Sequence, residues 1–270
     1  MKVWFITGAS GGFGREWTIA ALERGDSVIA TARAVEKLAD LVERFGELVL
    51  PLRLDVDDRT AVFDAVAAGV ERFGRIDVVV SNAGYGQYGL IEEVTEREIR
   101  DQFETNVFGS IWVLQAVLPI LRAQRSGRVI QVSSIGGVTV APQVGIYNAT
   151  KWAIECVVEA LAGQVAGFGI RVTLVEPQGY STEFSGSSAR RSAPMPEYDG
   201  YRAELEAFSA RRGDPKATRQ PILELVDMAE PPLRQFFGIT PLGVVSEAYE
   251  ARLAEWRAGQ DRAVRAFGDR

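Results

Sequence analysis

Tyr147 and Lys151 stand four residues apart, and Ser134 lies thirteen positions before the tyrosine. Side chains at i and i+4 share one face of a helix, so this spacing sets a phenol beside an ammonium. The chemistry of such a pair is proton transfer. A free phenol ionises near 10, too high for a donor working around neutrality, and lowering it takes roughly 3 to 4 kcal/mol of selective stabilisation of the phenolate. A neighbouring ammonium supplies much of that. A second group, Thr7-Gly8-Ala9-Ser10-Gly11-Gly12-Phe13-Gly14, follows a short apolar run at the start of the chain. Backbone N–H groups at a helix start, approached closely where no Cβ intervenes, suit the pyrophosphate of a dinucleotide. A dinucleotide turn and a positioned proton donor are the two halves that hydride transfer to a carbonyl requires.

Composition closes several other routes. The 270 residues contain no histidine, which removes Ser-His-Asp and Cys-His nucleophiles and most catalytic zinc sites, and no metal centre is expected. Cys156 is the single cysteine, so no internal disulfide forms; its apolar helical surroundings predict a small core residue. A net charge of −6 and a pI near 5 argue against nucleic acid as a partner. The run after Met1-Lys2 is too short for a signal peptide and no apolar run approaches the roughly 20 residues of a membrane span, so a cytoplasmic location without membrane contact is expected.

The elements that must position these residues read from periodicity. Strand-length apolar runs alternate with helical segments, the pattern of a parallel sheet covered on both faces. Strands are predicted at Lys2–Thr7, Ser27–Thr31, Leu48–Leu54, Ile76–Ser81, Arg128–Ser133, Ile170–Glu176 and Leu233–Phe237. One helix is predicted from about Gly12 to Arg24, and another over Asp58–Phe73, with Asp57 or Asp58 as its cap. The fold class is therefore α/β: a doubly wound, parallel, seven-stranded sheet of the Rossmann type in three αβα layers, formed by residues 1–270 as one domain. Its ligand crevice belongs at the carboxyl ends of the strands, where the strand order reverses. Ser185–Lys216, aperiodic and rich in Ser, Arg, Pro and Gly, is expected to insert there as a lid, with a solvated loop as the alternative.

The spacing T-G-x-x-x-G-x-G, with Ser134, Tyr147 and Lys151 in this order, resembles the short-chain dehydrogenase/reductase family from Met1 to about Phe184. The resemblance implies a carbonyl–alcohol oxidoreductase with Tyr147 as acid/base, Ser134 donating to the substrate oxygen and Lys151 holding the nicotinamide ribose. Asn106 matches the family's helix-borne Asn that supports the lysine through water, although an internal helix hydrogen bond explains it nearly as well. Gly8, Ser10, Gly12, Phe13 and Gly14 would cradle the cofactor. Asp55 and the N–H of Val56 would meet the adenine, unless Asp55 caps the next helix. Asn82-Ala83-Gly84 matches the family's N-A-G turn. Pro177, Gly179 and Thr182 would hold the carboxamide, with Gln178 departing from the usual Gly of P-G-x-x-x-T.

Where NAD-dependent relatives carry Asp at the end of the second strand, this chain has Ala32, followed by Arg33. That pair implies NADP(H) as the preferred cofactor, with NAD(H) possible, and Arg15 as a second contact. Tyr85, Gln87, Tyr88 and Gly136 to Val144 would line a pocket for a medium-sized, largely apolar carbonyl or alcohol. Arg190, Arg191, Arg211 and Arg212 either attract an anionic substrate or form a solvated loop. Arg97–Leu121 and Tyr147–Phe168 would pair across a twofold axis in a homodimer or homotetramer. The stripe Tyr249, Leu253 and Trp256 would cover the pocket, meet a partner or join the core. A nicotinamide-binding regulatory or scaffold protein without turnover is the alternative function.

Overall fold

The computed structural model describes residues 1–186, 188–206 and 211–268. In chain order the first half comprises β1 (Val3–Thr7), α1 (Gly12–Glu23), β2 (Ser27–Ala32), α2 (Ala39–Phe45), β3 (Val49–Arg53), α3 (Arg59–Phe73), β4 (Val78–Ser81) and β5 (Gln87–Tyr88). Then follow α4 (Glu96–Phe103), a π-helical segment (Glu104–Gly109), α5 (Ser110–Gln124), β6 (Gly127–Val132), α6 (Gly145–Val165) and β7 (Ile170–Pro177). The chain ends with β8 (Arg190–Arg191), α7 (Asp199–Glu206), α8 (Arg219–Asp227), β9 (Arg234–Phe237) and α9 (Pro241–Phe267).

Seven strands form one all-parallel sheet in the order β3-β2-β1-β4-β6-β7-β9. Parallel strands need crossovers that cover both faces, and two apolar cores result. Phe5, Ile29, Val79 and Val129 join α3, α5 and α6 on one face; Trp4, Ile6, Val28, Val80 and Ile130 join α1 and α8 on the other. The order reverses between β1 and β4, so a crevice opens where Thr7 and Ser81 end.

Each predicted strand is present within a residue or two of its expected bounds. Asp58, not Asp57, caps α3, its carboxylate accepting from Ala61 N at 3.0 Å. Asp55 instead accepts from Asp57 N at 3.3 Å in the turn before the cap, which removes the capping explanation for it. Glu96–Gln124 runs as one helical stretch of 29 residues that is by length and composition apolar enough to cross a membrane, contrary to the sequence reading. Val113, Leu114, Val117 and Leu121 sink one of its faces into the core, which accounts for that apolarity.

Three further expectations need correction. Cys156 is exposed, because α6 buries Lys151, Ile154, Glu155 and Val158 and turns position 156 away. Tyr249, Leu253 and Trp256 do not join the core: they are 40, 40 and 65 % exposed, and α9 buries only Pro241 among its described residues. The insertion after Phe184, expected as loop with little periodicity, contains β8 and α7; part of it lies outside the described residues.

Candidate active site

The first bank of the crevice is the turn after β1. Gly8 and Gly12 take φ of +69° and +53°, values that a side chain strains. A Cβ on Gly14 would stand 2.3 Å from the carbonyl oxygen of Gly8 and 2.6 Å from Asn82 Nδ2, so only Gly permits this closeness of α1 to β1. Asn82 Nδ2 donates to Thr7 O at 2.9 Å, while Thr7 Oγ1 accepts from the N–H groups of Asn82 and Ala83. The Asn82-Ala83-Gly84 turn is thus laced to the glycine turn. Phe13 points away from the crevice, stacked on Trp17 and edge-on to Tyr180, so what it offers a ligand there is backbone. Ser10 and Gly12 remain at the rim, and Thr182 Cγ2 lies 3.5 Å from where a Gly12 Cβ would be. These banks fit a dinucleotide: a Cβ would fill the cradle and the first turn of α1 faces it.

Arg33 is exposed just beyond β2, and among the described residues it has no hydrogen bond or ion pair. Arg15 is engaged, donating to Lys37 O at 3.1 Å and pairing with Asp40. Of the two, Arg33 is the less engaged, with the charge of Asp57 nearby. Asp55 is exposed beside the same crevice and Val56 is buried.

Ser134, Tyr147 and Lys151 come together at the other end. Ser134 ends its strand in extended conformation, and its Oγ accepts from Gly136 N at 3.0 Å. That leaves its proton for the Tyr147 hydroxyl, a contact that favours the phenolate. Burial works harder in the opposite direction and pushes the phenol well above its ordinary value. Lys151 lies with Nζ 5.8 Å from the Tyr147 ring centroid and donates to Val132 O at 2.9 Å. Its ammonium is lowered to about 8 by burial, with Glu155 opposing. Among these residues alone, burial therefore outweighs the expected drop of the phenol.

Asn106 sits in the π-helical segment, a feature that often marks functional positions. Its side chain reaches across, not to Lys151: Nδ2 donates to Tyr85 O at 3.0 Å and Thr150 Oγ1 at 3.2 Å, and Oδ1 accepts from Tyr85 N. It ties the loop after Asn82-Ala83-Gly84 to α6, and beside it Gln102 ties the same loop to α4 through Gln87 N and Tyr85 O.

Phe184, which the sequence reading did not single out, packs tilted against Tyr147 with ring centroids 5.2 Å apart. A Cβ on Gly86 would meet its ring at 2.9 Å, so Gly86 is the recess that receives it. The insertion is then strapped down by β8, which pairs with β5 in a separate two-stranded sheet. Arg190 and Arg191 stack over Tyr85 and Tyr88 at 4.3 and 4.5 Å, and Arg190 also pairs with Asp101. These two arginines are fasteners of the strap; Arg211 and Arg212 are exposed.

Gln178 explains the altered loop after β7. Its Oε1 accepts from Ile239 N at 2.9 Å, Thr240 N at 3.1 Å and Thr240 Oγ1 at 2.9 Å, and its Nε2 donates to Arg211 O at 3.4 Å. A Cβ at Gly238, where φ is +146°, would collide with it at 2.5 Å. Gln178 therefore clasps the start of α9 to the segment holding Pro177, Gly179 and Thr182. Gln178→Ala is expected to cost about 1–2 kcal/mol, as loss of a helix cap does, and to lower Tm by a few degrees; thermal unfolding followed by circular dichroism checks this.

A parallel sheet with a glycine cradle at its switch point and a Ser-Tyr-Lys set, its Tyr and Lys buried, defines a dinucleotide-dependent oxidoreductase. The chain belongs to the short-chain dehydrogenase family, whose pattern residues 2–193 match. It is 42 % identical over 265 residues to "Oxidoreductase BOA17" of Botryotinia fuckeliana, covering 95 % of this chain and 97 % of that one. A short-chain dehydrogenase from Streptomyces avermitilis superposes with a TM-score of 0.91 at 38 % identity, covering 97 % of each chain. An alcohol dehydrogenase from Thermococcus sibiricus complexed with 5-hydroxy-NADP superposes with a TM-score of 0.73 at 27 % identity, over 88 % of this chain and 96 % of that one. Solved structures of the fold include complexes with NAD and with NADP.

Proposed function

We propose that this oxidoreductase reduces a largely apolar ketone or aldehyde with NADPH, the reverse oxidation using the same residues. The observation that carries the reading is the Tyr147 phenol, buried with Lys151 Nζ 5.8 Å from its ring, at the end of a glycine-lined crevice. When bound, the nicotinamide cofactor supplies the hydride. Gly8, Ser10, Gly12, Phe13 and Gly14 offer backbone to its phosphates, Asp55 and Val56 border its adenine, and Arg33 meets a 2′-phosphate. Pro177, Gly179 and Thr182 flank its carboxamide, with Asn82, Ala83 and Gly84 forming the floor.

Tyr147 then gives its proton to the oxygen that gains negative charge, while Ser134 donates to the same oxygen. Oriented donors aimed at developing charge in a site closed to water are the effective form of such catalysis. Lys151 holds the ribose hydroxyls and adds positive charge beside Tyr147. Asn106 is a positioning residue acting through Tyr85 and Thr150. Phe184, Tyr85 and Tyr88 give the pocket an aromatic wall, which supports an apolar substrate. Phe108, 42 % exposed and stacked on Trp112, continues an apolar face on the long helix that suits a homodimer or homotetramer.

The test is consumption of NADPH, with NADH in parallel, across ketones, aldehydes, quinones and lipid carbonyls, with the Tyr147→Phe protein as blank. Turnover present in the native enzyme and absent from the blank supports the reading. Tight NADPH binding by calorimetry with no turnover on any carbonyl class favours a regulatory role instead.

A further inference from the structure

Behind Lys151 lie two acids that this chemistry leaves unused. Glu155, one helical turn after Lys151 on α6, is 4 % exposed, and Glu176, near the end of β7, is 0 % exposed. None of their four carboxyl oxygens has a well-aligned hydrogen bond among the described residues. Buried charge persists only when paired, so two carboxyls in one apolar site need an account of their protons. Arg234 of β9 places Nε 3.3 Å from Glu155 Oε2 and 3.4 Å from Glu176 Oε1, but gives its Nη2 to Glu159 at 2.7 Å. Ser133 faces Glu155, on the side of the chain opposite to Ser134. A Cβ on Gly137 would stand 2.7 Å from Ser133 Oγ and 3.0 Å from Glu155 Cγ, so the loop after Ser134 seals the cluster.

The charged groups facing the pair are Lys151 and Glu159 on α6 and Arg234 on β9. Glu159 is exposed to water, but Glu155 and Glu176 are both buried and share the Arg234 Nε, which lies 3.3 and 3.4 Å from them. Glu176 is the better holder of a proton: burial and the charge of Glu155 push it up to about 8 against the pull of Arg234. Glu155 is also pushed up by burial, yet Ser133, Arg234 and Lys151 pull it back. We propose that Glu176 is a neutral acid at neutral pH beside an ionised Glu155, and that Glu155 is the positioning residue that keeps Lys151 charged. Glu155 is the group that opposes the effect of burial on Lys151. The catalytic consequence, which rests on the reductase reading, is that the lysine keeps its ammonium, and its support of Tyr147, into mildly alkaline pH.

The chain has four lysines, Lys2, Lys37, Lys151 and Lys216, of which Lys151 alone is buried. Carbon-13 lysine labelling therefore follows its titration by NMR in the protein alone. In Glu155→Gln the Lys151 titration should move down by about one pH unit or more. In Glu176→Gln, which keeps a neutral group of the same size beside Glu155, it should stay within a few tenths of a unit, roughly. Glu155→Asp, which keeps the charge on a shorter arm, should fall between the native protein and Glu155→Gln.

Stability supplies a second readout. A carboxyl raised on folding binds a proton that the unfolded chain has released, so stability should fall as pH rises from about 5 through 8. Glu176→Gln should flatten that slope in thermal melts. An unmoved Lys151 in Glu155→Gln, an equal shift in Glu176→Gln, or a slope that survives Glu176→Gln overturns the assignment. The alkaline limb of kcat/KM should follow Lys151 in Glu155→Gln. If Lys151 shifts and the limb does not, the acid pair stands and the role given to Lys151 in turnover falls.

Discussion

Tyr147→Phe is expected to lower kcat/KM for carbonyl reduction by about 10³-fold or more, within the range a positioned acid contributes, while the Kd of NADPH stays within a fewfold. The phenyl ring keeps the packing against Phe184, whose centroid lies 5.2 Å away, and stays beside Lys151. Only the hydroxyl is lost. Because burial already holds that hydroxyl in its neutral form, its removal takes away no charge and strands only the Ser134 contact. The fold should therefore survive with a stability change of about 1 kcal/mol, that of one hydrogen bond. Stopped-flow loss of NADPH absorbance reads the rate and calorimetry reads the affinity. Turnover above a tenth of the native value would place the acid elsewhere, and a collapse of NADPH affinity would make Tyr147 a binding residue first.

How far the site could be read beforehand depended on the range of the contacts. Strands such as Val78–Ser81 are buried on both faces and read as unbroken apolar runs, so their type needed no tertiary information. The glycine turn and the i,i+4 pair of Tyr147 and Lys151 are likewise local. What escaped was set by residues far apart in sequence. β5 and β8 are two residues each and pair across about a hundred positions, so neither carries a periodic signal. Asn106 was found by type and position, but its partners, Tyr85 and Thr150, depend on how α4 and α6 meet. The π-helical turn that aims it leaves no mark in Glu104-Thr105-Asn106-Val107.

Gln178 and Cys156 show the same limit in two forms. Gln178 reads as a defect in the loop after β7 until Ile239 and Thr240 are seen to need its oxygen. Cys156 lies among apolar neighbours in sequence, yet its phase on α6 turns it to the surface. The stripe on α9 was legible as a stripe; what it does not meet was not. Glu155 and Glu176 belong to separate elements and become a pair only when Arg234 on β9 closes over both.

The cofactor preference yields the other large effect. Ala32 ends β2 opposite Arg53 and is 3 % exposed, so an acid placed there sits at the edge of the crevice on a strand whose backbone is fixed. Arg33 follows it, exposed and with no hydrogen bond or ion pair among the described residues, whereas Arg15 is spent on Asp40 and Lys37. A 2′-phosphate met by Arg33 gains a charge-assisted pair worth about 1.5–3 kcal/mol. Ala32→Asp with Arg33→Ala removes that pair and sets a carboxylate against the phosphate, while offering an acceptor to the free ribose hydroxyl of NADH. The ratio of kcat/KM for NADPH to that for NADH should fall by about 10²-fold or more, since 2.7 kcal/mol is worth about that factor. Parallel initial rates with both cofactors measure it, and fluorescence titration separates binding from turnover. Should the ratio hold, the phosphate contact belongs to Arg15, and Arg15→Ala with Arg33 intact would then carry the loss.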